Sequence, residues 1–154
     1  MTDRKNDKNV RDAEQLVEEM AKDPRVLRMK SFTQHGKVST YEHSLSVARM
    51  SLRLAKGLRL NVDREEMVRG ALLHDYYLYD WHSRGDKLHG YHHPDIAARK
   101  ADEDFSLTSK ERDIIRTHMW PLTLLHVPSS KEAVIVCIAD KICSSKETLE
   151  GLLS

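Results

Sequence analysis

Apolar residues recur at the three- and four-residue spacing of amphipathic helices along most of the chain. One such segment begins at Ser39-Thr40-Tyr41-Glu42, which matches a capping box, and others have comparable start signals at Thr108 and Ser129. The predicted helices cover residues 10–22, 26–34, 40–58, 63–74, 94–104, 108–119 and 129–149. Only Val134-Ile135-Val136 resembles a strand, and the helical signals around it outweigh that resemblance. The pattern predicts an all-α, single-domain bundle of six or seven helices.

Length and composition fit this expectation. The chain has 154 residues, which suits one domain over residues 10–154, with residues 1–9 expected to form a flexible tail. Hydrophobic residues make up 40% and charged residues 32%, as in ordinary globular proteins. The formal net charge of +1 gives no reason to expect a nucleic-acid polymer as partner, and no apolar run is long enough to cross a membrane. We expect a cytoplasmic protein.

The chain contains nine histidines, and several of them fall on faces that should be buried. Five imidazole or carboxylate side chains lie on apolar helical faces: His43, His74, Asp75, His118 and Asp140. Any one of them alone would most simply be a hydrogen-bonded core residue. Burial of several such groups in one small domain requires partners, because an unpaired buried carboxylate costs several kcal/mol. Imidazoles and carboxylates directed into a common interior are ligands of divalent metal ions, so together they predict a metal site.

The order of these residues resembles the HD-domain superfamily of metal-dependent phosphohydrolases, whose pattern is H…HD…D. The corresponding residues are His43 in YEHSLSVA, His74-Asp75 in ALLHDYY and Asp140 in IADK. The resemblance covers roughly residues 39–150. It implies an all-α fold with a metal centre in the core.

Relatives of this superfamily that hold two metal ions resemble the chain further. The HD-GYP phosphodiesterases and myo-inositol oxygenase have additional histidines between the HD pair and the last aspartate, where this chain has His93 and His118. His92 is the alternative to His93. The GYP motif is absent, since the chain reads His89-Gly90-Tyr91-His92, so a cyclic-dinucleotide phosphodiesterase is not favoured.

This resemblance divides six ligands between two ions, with Asp75 bridging them. His43, His74 and Asp140 would complete one site, and His93 with His118 the other. If four ligands bind, the site holds one ion. Nitrogen-rich ligation without thiolate suits iron, which we expect first, with manganese, cobalt or zinc as alternatives.

The segment from residue 76 to residue 92 is rich in aromatic and basic side chains, and it joins two ligand-bearing segments. Aromatic faces stack on bases or sugars, and cationic groups bind phosphate oxygens. The expected substrate-binding residues are Tyr79, Trp81, Arg84 and Lys141, and the expected catalytic residues are Asp75, His82, Lys87 and His89. Alternatively, the aromatic residues simply pack this segment onto the domain.

The resemblance therefore implies a phosphohydrolase that acts on a small phosphomonoester, such as a nucleotide, through metal-activated hydroxide. Two alternatives stay open. One is a diiron oxygenase similar to myo-inositol oxygenase, and the other is a non-catalytic metal- or nucleotide-binding module. The expected partner is a small phosphorylated substrate, and a homodimer is also left open.

Overall fold

The computed structural model describes residues 13–76 and 89–153, with the backbone alone at residue 35 and at residues 89–92. Its elements in chain order are α1 (residues 13–21), α2 (Pro24–Leu27), a 3₁₀ turn (Arg28–Ser31), β1 (Thr33–His35), β2 (Val38–Ser39), α3 (Thr40–Gly57), α4 (Arg64–Leu73), α5 (His89–Phe105), α6 (Ser109–Thr117) and α7 (Lys131–Leu153). The predicted helical fold is confirmed. The expected tail, residues 1–9, lies outside the described residues.

The helix predicted over residues 26–34 is wrong in its second half. Helical structure ends at Ser31, and β1 then pairs with β2 in a short antiparallel hairpin whose register joins Thr33 to Ser39. Gly36, at φ 56°, lies in the turn and adopts the left-handed conformation that glycine tolerates best. The β-branched residues Thr33 and Val38 on either side of that turn are the sequence signal for the hairpin.

The fifth helix begins earlier than Pro94, where the sequence places it. α5 begins at His89, so Pro94 lies inside the helix rather than at its start. The prediction relied on the preference of proline for the first turn of a helix, which α5 does not follow. His93 therefore lies within the helix and not near its N-cap.

Three helix starts have the side-chain caps that the sequence indicates. Ser39 Oγ accepts a hydrogen bond from the Glu42 backbone N–H at 3.1 Å, and Asp63 caps α4 in the same way. At α6, Thr108 and Glu111 form the full reciprocal capping box. Such caps satisfy N–H groups that have no partner within the helix, and so they fix where α3, α4 and α6 begin.

Two apolar clusters meet at α4 and α6. Leu72 and Ile114 belong to a cluster shared with α1, α3 and α7, whereas Leu73 and Ile115 belong to one shared with α2 and α5. Both helices therefore run between the clusters, and the residues that follow their last turns lie near the centre of the fold. None of the helices in residues 13–76 and 89–153 combines the length and apolarity that a membrane crossing needs.

Candidate metal centre

Six polar side chains from five segments of the chain meet in the interior of the bundle. His43 comes from α3, His93 from α5 and Asp140 from α7, while the others directly follow α4 or α6. All six are buried, with exposed fractions from 0% to 7%. Their potential ligand atoms form two groups that share one residue: His43, His74, Asp75 and Asp140 in the first, and Asp75, His93 and His118 in the second.

The first group has donor separations that suit one metal ion. Asp140 Oδ1 lies 2.9 Å from His43 Nε2 and 3.4 Å from His74 Nε2. Asp75 Oδ2 lies 3.1 Å from His74 Nε2 and 3.5 Å from His43 Nε2. An ion bonded to two donors at about 2.1 Å separates them by about 3.0 Å at a right angle and about 3.4 Å at the tetrahedral angle. The four nitrogen–oxygen separations, from 2.9 to 3.5 Å, lie close to that range.

The second group uses the other carboxylate oxygen of Asp75. Asp75 Oδ1 lies 3.1 Å from His93 Nε2 and 3.5 Å from His118 Nε2, and the two nitrogens are 2.9 Å apart. Asp75 thus has one oxygen in each group, which is the arrangement of a bridging carboxylate. The structure places the side chain of His93 in this group, and the side chain of His92, the alternative ligand, lies outside the described part of the chain.

Two of the histidines are oriented by the helix ends that they follow. His74 caps α4 and donates from Nδ1 to the Ala71 carbonyl at 2.6 Å. His118 caps α6 and donates from Nδ1 to the Ile115 carbonyl at 2.6 Å. The last carbonyls of a helix lack the N–H partner that the next turn would supply, so they can accept these side-chain bonds. With the proton on Nδ1, each Nε2 presents a lone pair to the cluster.

Glu147 and Gln34 also contact the cluster, and the sequence reasoning missed both. Glu147 Oε2 lies 2.7 Å from His43 Nδ1, and Glu147 follows Asp140 by seven residues on α7, a spacing that could have revealed a shared face. Gln34 Nε2 donates to Asp75 Oδ2 at 2.9 Å, while Gln34 Oε1 accepts from the Thr40 hydroxyl. Gln34 was missed because its segment was predicted to be helical, whereas β1 places it against the site.

The cluster is built to hold positive charge. His74 Nε2 and Asp75 Oδ1 are buried, and neither has a hydrogen-bond partner among the described residues. A lone pair on His74 Nε2 faces carboxylate oxygens of Asp75 and Asp140, which repel it unless a cation lies between them. Leaving a buried polar atom unsatisfied costs about 1–3 kcal/mol, and a metal ion would satisfy both atoms. The donor set therefore fits a divalent ion.

The pKa shifts express the same electrostatics. Burial lowers the pKa of His74, but the carboxylates of Asp75 and Asp140 outweigh it and raise the pKa well above its usual value. Burial likewise opposes the rise in the pKa of His43, which reaches about 9 through Asp140 and Glu147. The pKa of His118 falls, chiefly because of burial, which keeps this imidazole neutral and available as a ligand.

Both aspartates are held in the charged form. Burial would raise the pKa of Asp75, yet the imidazoles of His74, His118 and His93 lower it well below its usual value. Burial opposes the shift at Asp140 in the same way, and the nearby imidazoles of His43 and His74 lower that pKa. Ionised carboxylates are the form in which aspartate binds metal.

Most of the expected substrate-binding and catalytic residues fall between the two described parts of the chain. Tyr79, Trp81, His82, Arg84 and Lys87 lie outside the described residues, and His89 is described only as backbone in the first turn of α5. Lys141 lies beside Asp140, and its Nζ donates to the His118 carbonyl at 3.3 Å. Tyr76 is buried in the second apolar cluster and donates its hydroxyl to Asp104, so this aromatic residue packs into the domain.

Comparison with known proteins agrees with the geometry. The HD domain family matches residues 40–144, a span that includes all six clustered side chains. No curated protein and no solved structure matches the chain. A buried His/Asp cluster within an HD domain indicates divalent metal binding. Because the match covers more than half of its length, the chain belongs to the HD domain family, whose members are generally metal-dependent hydrolases.

Proposed function

We propose that this HD domain is a phosphohydrolase that uses two divalent ions to hydrolyse a small phosphomonoester. The observation that carries the proposal is the position of Asp75, which directs one oxygen to each of two donor groups. A structural ion would need one closed set of ligands, whereas two adjoining sets suit chemistry on a substrate that both ions contact.

Divalent ions bound there would supply Lewis acidity toward water and phosphate oxygens. The residues of the chain supply the binding and orientation. His43, His74 and Asp140 would hold the first ion and His93 with His118 the second, while Gln34 donates to the Asp75 carboxylate that the two groups share. Because the donors are already in place before the substrate binds, little reorganisation accompanies the reaction.

The solvent-facing side of the cluster gives the direction from which a substrate would approach. The side chains of Asp140 and His93 are each 9% exposed, whereas those of His43, His74 and Asp75 are 0–2% exposed. The phosphate would therefore enter between α7 and α5. Lys141 directly follows Asp140 on α7 and is exposed, and we propose that it binds the phosphate.

The donor chemistry supports iron first, with manganese, cobalt and zinc as alternatives. Four imidazoles and two carboxylates make up the two groups. The chain has two cysteines, Cys137 and Cys143; both are buried, and neither belongs to the cluster's ligand set. Ligation by nitrogen and oxygen alone suits these borderline ions, whereas thiolate and thioether ligands select soft metals.

Metal analysis followed by a panel of phosphomonoesters tests the proposal. The protein is purified without air or chelator, and wild type, His74→Ala and an exposed-acid control, Asp95→Asn, are compared. We expect bound metal and turnover in wild type and control, and neither in His74→Ala. Turnover by zinc-loaded protein without oxygen supports hydrolysis. Turnover that requires both iron and oxygen would instead identify an oxygenase, and bound metal without any turnover would identify a binding module.

A further inference from the structure

We propose that Glu147 is a positioning residue of the metal centre, which holds the His43 imidazole with Nε2 directed at the first ion. The inference rests on the metal centre of the proposed function but not on its substrate. Glu147 is 7% exposed, and its Oε2 lies 2.7 Å from His43 Nδ1. By contrast, His74 and His118 donate from Nδ1 to backbone carbonyls.

The two carboxylates of α7 bind opposite sides of one imidazole. Asp140 Oδ1 contacts His43 Nε2 at 2.9 Å, and Glu147 contacts Nδ1 from two helical turns further along. Seven residues rise about 10.5 Å along a helix and return to nearly the same face. The imidazole of His43 therefore lies along α7 and is held at both nitrogens, which fixes its position and the plane of its ring.

His43 needs an acceptor from another helix because of where it lies in its own. His74 and His118 follow helix ends, where free carbonyls accept their Nδ1 protons. His43 lies inside α3, whose backbone carbonyls bond along the helix. Without Glu147, the Nδ1 proton of His43 would lose this carboxylate acceptor in a site where the side chain is fully buried.

An anionic acceptor has a further consequence that a carbonyl does not have. A carboxylate on Nδ1–H increases the basicity of the opposite nitrogen, which strengthens its bond to a metal ion. The same contact could merely tie α7 to α3. A tie of that kind would affect the stability of the metal-free fold, whereas a positioning role also changes metal affinity and the magnetic environment of the His43 ring.

Zinc affinity of three variants separates these roles. Glu147→Ala removes both the acceptor and its charge, Glu147→Gln keeps an acceptor of the same shape, and Glu150→Gln removes a carboxylate from an exposed position of the same helix. Competition with a chelator of known affinity measures zinc binding alone. We expect affinity to fall by about 10- to 100-fold in Glu147→Ala, by less in Glu147→Gln and not at all in Glu150→Gln.

A spectroscopic measurement completes the test. In zinc-loaded wild type the Nδ1–H proton of His43 should resonate at low field in ¹H NMR. Its signal should shift in Glu147→Gln and should be lost through exchange with solvent in Glu147→Ala. Unchanged zinc affinity in a folded Glu147→Ala would overturn the proposal, and if that variant does not fold, unchanged affinity and resonance in Glu147→Gln would do so. Wild type that binds zinc but cleaves no phosphomonoester contradicts the proposed function alone. Wild type that binds no zinc contradicts both.

Discussion

Asp75 Oδ1 lies 3.1 Å from His93 Nε2, while the second oxygen of the same carboxylate faces His74 and His43. The contact joins the end of α4 to the second turn of α5. It makes Asp75 the one residue that both donor groups contain. Substitutions at Asp75 and at members of a single group should therefore have different consequences.

Asp75→Ala should abolish metal binding and turnover together while leaving the helical content largely intact. Both donor groups lose a ligand, and the site loses a carboxylate charge that offsets a bound cation. Metal affinity should fall by more than the roughly 10- to 100-fold decrease that follows removal of a hydrogen-bond partner of a ligand. Metal content, activity and far-ultraviolet circular dichroism check this prediction. Full metal content and activity in folded Asp75→Ala would contradict it.

His93→Ala and His118→Ala should each reduce the bound metal from two ions to one. These residues belong to the second group only, so the first group keeps its four donors. Metal stoichiometry per chain measures the effect. His126→Ala is the matched control, since it removes a histidine that belongs to neither group. Equal stoichiometry in wild type and in both variants would exclude the two-ion arrangement.

The helices and their polar buried residues could be predicted from sequence because both signals are local. His74 and His118 each follow apolar residues at helical spacing, and the caps at Ser39 and Thr108 are visible as short motifs. Whether such residues share one site depends on tertiary packing, which periodicity does not encode. There the resemblance to a family supplied the order H…HD…D.

The contacts around the cluster were harder to predict for a different reason. Glu147 looks like an ordinary charged residue near the end of a helix, and only the approach of α3 gives it a role. Gln34 depends on a short hairpin with five strand residues, which lies within otherwise helical sequence. Single polar residues of this kind carry no periodic signal, and their function appears only when distant segments pack together.

Glu132→Gln should destabilise the protein at neutral pH by about 1 kcal/mol, with the difference vanishing in acid. Glu132 Oε1 accepts from the Asp63 backbone N–H at 2.8 Å and lies 3.4 Å from Lys110 Nζ. Burial raises the pKa of Glu132, but these partners outweigh it and lower the pKa below the ordinary 4.5. A lowered folded-state pKa gives stability that is present above pH 4.5 and is lost as pH falls through the folded value.

Urea unfolding at neutral pH and near pH 3 measures this difference. Glu103→Gln, at an exposed position of α5, controls for the general loss of one negative charge. A difference between wild type and Glu132→Gln that stays constant across this pH range would show that the Glu132 carboxylate is not linked to folding in this way.

Gly70→Ala should destabilise the fold by about 1–3 kcal/mol, although alanine normally favours a helix interior. A Cβ at Gly70 would lie 2.7 Å from Ile114 Cγ2 and 2.8 Å from Cδ1, so α4 and α6 would have to move apart. Gly70 precedes His74 by one helical turn, and Ile114 precedes His118 by one. The same displacement should therefore separate the two imidazoles, whose ring centres are 4.8 Å apart, and weaken binding of the second ion.

Thermal unfolding and metal stoichiometry of Gly70→Ala test both consequences, and Gly57→Ala gives the matched comparison. A Cβ at Gly57 would meet no atom within 4 Å, so that substitution should be neutral or raise stability by about 0.4–1 kcal/mol. Ile114→Ala removes Cγ2 and Cδ1, the two atoms nearest to the new methyl group, so the cost of Gly70→Ala should shrink in that background. If Gly70→Ala behaves like Gly57→Ala in the wild-type background, the close approach of α4 and α6 does not set the spacing of His74 and His118.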